Sequence, residues 1–118
     1  MKTKQAKSNK KSASEYPKLV RDKIPEIIEK EGRKVNLKIL KNDSEYQKYL
    51  IKKIGEEVDE FSKAKGRKNL SEEMADVLEI VDALIKLNNL KTSEIKKIQK
   101  KKAKKRGAFK DRILMLKK

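Results

Sequence analysis

Four acidic residues recur at one spacing in this chain. Glu57 and Glu60 stand three positions apart within Glu56-Glu57-Val58-Asp59-Glu60, and Glu73 and Asp76 stand three apart within Glu73-Met74-Ala75-Asp76. Residues at that spacing share one face of an α-helix, so each pair presents two carboxylates side by side. Gathered carboxylate oxygens are ligands for a hard divalent cation such as Mg²⁺ or Mn²⁺. Composition narrows the chemistry further, because the chain has no His, Cys or Trp. A histidine base, a thiolate nucleophile and a Cys-type zinc site are therefore excluded. Catalysis is left to carboxylates, Lys, Arg, Ser or Tyr, and a metal site to oxygen donors.

The element that must position the first pair is a long helix. Asp43 or Ser44 offers its N-cap, and it should run to about Lys65 and break at Gly66. At about 100° per residue, Leu50, Ile54, Val58 and Phe61 form its buried stripe, with Tyr46 and Ala64 beside them. Glu57 falls inside the stripe and Glu60 at its edge, while Glu56 and Asp59 point farther away. The next helix opens at Ser71, with Asn69 as the other candidate cap, and lasts to about Leu90. Its apolar arc includes Leu70, Met74, Val77, Ile80, Val81 and Leu84, with Glu73 inside the arc and Asp76 just past its edge. Carboxylates turned toward a core carry a desolvation cost of several kcal/mol and repel one another. A divalent cation would offset both. The alternatives are pairing with Lys53 or Lys63, or a wet edge of the bundle.

Around these two helices the punctuation is clear. Pro17 and Pro25 mark the start of the domain, Asp22 can cap a helix from about Lys23, and Gly32 stops it. Val35, Leu37 and Ile39 alternate with polar residues as in a short strand. Thr92 or Ser93 opens a fourth helix that Gly107 ends. The expected fold is all-α: an antiparallel bundle of about four helices, with room for one short two-stranded β element pairing 35–40 with 112–116. Residues 1–15 read as a basic, disordered tail, and 16–118 as one domain.

The net charge of +16 belongs to the ends. Residues 1–14 carry five Lys and no acid, and residues 91–118 carry thirteen Lys or Arg against Glu94 and Asp111. The span 15–90 is balanced. Basic ends suit nucleic acid through counterion release or serve as solvated extensions. No apolar run approaches the roughly 20 residues that span a bilayer, and the N-terminus has no secretory pattern. The expectation is a cytoplasmic protein with no membrane partner.

With these residues placed, the chain resembles the all-α nucleotide pyrophosphohydrolase superfamily, which includes MazG-like enzymes and phosphoribosyl-ATP pyrophosphohydrolase. The family pattern E-E-x-x-E, a spacer, then E-x-x-D is matched by Glu56 to Glu60, twelve residues, and Glu73 to Asp76. "KLVRDKIPEII" (Lys18–Ile28) and "KKAKKRGAF" (Lys101–Phe109) are similar to the opening and ending of one MazG-like subgroup. The resemblance covers about residues 16–116. It implies a helical core assembled into a homodimer or homotetramer. It also implies Mg²⁺-dependent hydrolysis of a nucleoside triphosphate between its α- and β-phosphates, a house-cleaning activity on the nucleotide pool. By motif position, Glu57, Glu60, Glu73 and Asp76 would ligate the metal, and Glu56, with Glu57, would serve catalysis by orienting a ligand or activating water.

A polyphosphate substrate needs cations facing it. Arg21 and Lys23 near the opening motif, and Lys102, Lys105 and Arg106 in the fourth helix, are the candidates. For Arg21 the competing reading is an ion pair with Asp22 or another acid, and for the lysines a solvated surface charge. The rival to the enzyme reading is a non-catalytic basic helical module that binds nucleic acid through the fourth helix and the tails. It gives no reason for acids to turn toward a core.

Overall fold

The computed structural model describes residues 16–118, and the basic tail expected over 1–15 lies outside the described residues. The architecture is all-α, with helices α1 (Ile24–Lys30), α2 (Asp43–Lys63), α3 (Arg67–Leu87) and α4 (Thr92–Arg106). No strand occurs among the described residues. The expected β element is therefore corrected: 35–40 and 112–116 are both irregular and largely exposed. Alternation marks a chain fit to be a strand, but a strand also needs a neighbour for its backbone N–H and C=O groups, and these two segments do not pair.

The core is the α2–α3 hairpin. The short connection through Gly66 makes the helices antiparallel, and their facing stripes bury Leu50 and Ile80 at 3% and 8% exposure. Gly66 has φ 87, a left-handed conformation that costs glycine little, and α3 starts at once after it. That corrects the start expected at Ser71, which is an exposed residue inside the helix. Asn69 helps hold the turn, donating from Nδ2 to the carbonyl of Lys65 at 2.9 Å. At the other end of the hairpin, Asn88 Nδ2 donates to Gln47 Oε1 and to the Leu84 carbonyl, both at 2.8 Å, which pins the end of α3 to the start of α2.

The cap of α2 is Asn42 rather than Asp43 or Ser44. Its side chain accepts from the Glu45 N–H at 2.9 Å, and Asp43 and Glu45 then lie in the first turn, where the helix dipole favours acids. α3 stops at Leu87 and Asn89 takes φ 55. α4 spans Thr92–Arg106 with Gly107 as its C-cap, as expected, but its N-cap is Lys91 rather than Thr92 or Ser93. Val58 and Met74, placed on the apolar arcs by periodicity, are 51% and 43% exposed. One partner helix covers a narrower arc than a full bundle does, so the flanks of each stripe stay open. No helix among the described residues is long and apolar enough to cross a membrane.

Candidate metal centre

Among the described residues, the most deeply buried side chains are two leucine-type and two acidic. Glu57 and Glu73 are 4% and 3% exposed, as deep as Leu50. Glu57 enters the hairpin interface from α2 and Glu73 from α3, each because its position on the wheel falls within an apolar stripe. Asp76, three residues beyond Glu73, is half-buried at the edge of that stripe. The three side chains converge: a carboxylate oxygen from each of Glu57, Glu73 and Asp76 lies within 4.8 Å of the others. Two helices that are regular throughout thus bring three anionic groups to one spot, and two of those groups are nearly sealed from water.

Protein cations border the cluster. Lys53, one turn before Glu57, holds its Nζ 3.7 Å from Glu57 and 3.5 Å from Glu56. Arg21 reaches across from the segment before α1 and donates to Asp76 Oδ1 at 2.8 Å. Its backbone neighbours Leu19 and Val20 are half-buried, which explains how an arginine in an irregular segment is held against α3. Lys63 pairs with Asp59 at 3.1 Å on the exposed side of α2 and takes no part. Of the competing readings, pairing with Lys53 is realised for Glu57, and an ion pair of Arg21 with another acid is realised with Asp76.

Of the four expected ligands, the structure gathers Glu57, Glu73 and Asp76. Glu60 is half-buried on α2 and is not part of the trio. Glu56 lies beside it through Lys53. Arg21 is at the cluster, Lys23 is exposed at the start of α1, and Lys102, Lys105 and Arg106 are exposed on α4 with no ion pair to the cluster. The Gln47–Asn88 bond has no counterpart in the sequence reading. Its partners are 41 residues apart, and no local pattern relates them.

The donor set fits a hard cation. All three side chains offer carboxylate oxygens, the chain has no softer ligand, and the oxygens are close enough to share one ion. An ion there would be held by Glu57, Glu73 and Asp76, with Arg21 and Lys53 at its margin. Comparison of the chain with protein-family models, with curated proteins and with solved structures finds no match.

Proposed function

We propose that this chain is a Mg²⁺-dependent nucleoside triphosphate pyrophosphohydrolase, with Mn²⁺ as a substitute ion. The observation that carries the reading is the convergence of buried Glu57 and Glu73 with Asp76. Buried carboxylates are rare unless something compensates them, and the two motifs that supply them match the spacing of the superfamily the sequence resembles. A divalent ion held by Glu57, Glu73 and Asp76 would offset the charge that develops on the phosphates.

The chain's own residues supply the rest. Glu57, Glu73 and Asp76 would hold the ion from two helices. Arg21, already seated on Asp76 and half-exposed, turns guanidinium N–H groups toward the phosphates. Lys23 lies two residues on, and Lys102, Lys105 and Arg106 extend the same demand for cations on the leaving pyrophosphate. Glu56, more exposed than Glu57 and beside Lys53, accepts the proton of the attacking water. Water is consumed, the P–O bond between the α- and β-phosphates breaks, and a monophosphate and pyrophosphate leave. The same reading takes the protein as a homodimer or homotetramer in the cytoplasm.

The test is pyrophosphate release from a panel of standard and modified triphosphates, in Mg²⁺ and then in EDTA. Turnover in Mg²⁺ and none in EDTA is expected. Glu57→Gln and Asp76→Asn should each lower the rate about a hundred-fold or more with unchanged far-UV circular dichroism. Wild-type rates in both variants would overturn the assignment.

A further inference from the structure

Apart from Lys102, Lys105 and Arg106, assigned above to the leaving pyrophosphate, the cations of helix α4 serve neither the hairpin core nor the acidic cluster. Eight of its fifteen residues are Lys or Arg, against one acid, Glu94, in the first turn. Every residue of it but Ile95 is exposed. Among the described residues no ion pair ties an α4 cation to a carboxylate. Lys96 and Lys100, Lys97 and Lys101, and Lys100 and Lys104 set like charges one turn apart, which weakens a helix. The helix dipole accounts for Lys104, Lys105 and Arg106 in the last turn. It does not account for Lys96 and Lys97 near the start. An external polyanion accounts for both ends.

We infer that α4 is a docking element for the phosphate backbone of duplex DNA, engaged without sequence preference. The inference stands independently of the proposed hydrolase activity. A helix about 10–12 Å across enters a B-form major groove about 12 Å wide, whereas the deep, narrow groove of A-form RNA does not admit it. Single strands are held largely by stacking on aromatic rings, and α4 has none. Adsorption to a lipid surface needs a continuous apolar face. α4 offers Ile95 and Ile98 near its start and only Ala103 beyond them. Cations on every face suit contact with two phosphate rails rather than base readout.

The experiment is fluorescence anisotropy of the full chain with labelled 20-base-pair duplex DNA, with duplex RNA, a single strand and anionic phospholipid vesicles as parallel arms. Duplex DNA should bind most tightly. The slope of log K against log salt should be about −3 to −4, as for roughly four phosphates met by the side of the helix that faces them. The combined variant Lys96→Gln, Lys97→Gln, Lys100→Gln, Lys101→Gln and Lys104→Gln should lose at least about ten-fold in affinity while keeping its helicity and pyrophosphate release. Neutralising Lys2, Lys4, Lys7, Lys10 and Lys11 instead should cost less than the α4 variant. The inference is overturned if the α4 variant binds DNA like the parent, if the tail variant loses the larger share, or if vesicles, RNA or single strands are preferred.

Discussion

Glu57 and Glu73 lie where a leucine would be expected. Each occupies a core position of its helix, and each is as buried as Leu50. On the α2 side Lys53 contributes compensation, standing between Glu56 and Glu57 at 3.5 and 3.7 Å while only 22% exposed itself. Removing one partner of a buried charge pair weakens the compensation of the other. Lys53→Met should therefore destabilise the fold by about 1–3 kcal/mol in EDTA, and Mg²⁺ should restore part of the loss by taking over the compensation. Urea denaturation with and without Mg²⁺ checks this. An unchanged midpoint in EDTA would show that Glu57 does not depend on Lys53. Arg21 has a different position: its pair with Asp76 is half-exposed and so worth little to stability. Its value lies in placing a guanidinium beside the cluster.

At the level of the elements, the hairpin depends on how its two long helices start and stop. Asn42 satisfies one of the first free N–H groups of α2, and Gly66 supplies the φ of 87 that lets α3 begin with a three-residue turn behind it. Asn42→Ala should cost about 1 kcal/mol through the lost cap. Gly66→Ala meets no steric obstacle within 4 Å, so its cost, about 1 kcal/mol or somewhat more, is conformational. Both are read as shifts of the urea midpoint. If Gly66→Ala instead left stability unchanged, the left-handed turn would not be what joins the helices. The turn matters to the site, because Glu57 and Glu73 approach it from opposite strands of the hairpin and a slip of one residue would rotate one of them out of the interface.

For the whole molecule, the described core is small. Ile51 and Val58 on α2 and Met74 and Leu78 on α3 are 43% to 60% exposed. Ile51 and Val58 share a face of their helix, as do Met74 and Leu78 of theirs. Both faces lie on the side away from Glu60 and Asp76 on the wheel. Scattered apolar residues on a surface need no explanation, whereas aligned ones on two packed helices form a patch that a partner could cover. The proposed homodimer or homotetramer would bury this face and leave the carboxylates on the other side. Light scattering should give a multiple of the 13.7 kDa chain mass, and Leu78→Glu should shift it toward the monomer. A wild-type monomer would refute the dimer or tetramer.

Much of this was legible along the chain. The four helices among the described residues, the breaks near Gly32, Gly66 and Gly107, and the inward turn of Glu57 and Glu73 all follow from local spacing, because a helix converts sequence separation directly into direction. What spacing cannot encode is which distant groups meet. Arg21 and Asp76 are 55 residues apart, and their pairing depends on how the segment before α1 folds back onto α3. Only the packed hairpin decides that Glu57, Glu73 and Asp76 form the trio and Glu60 does not, that Val58 and Met74 stay open, and that 35–40 finds no strand to pair with. Each of these depends on a neighbour that is remote in sequence, and a residue's own periodicity carries no information about it.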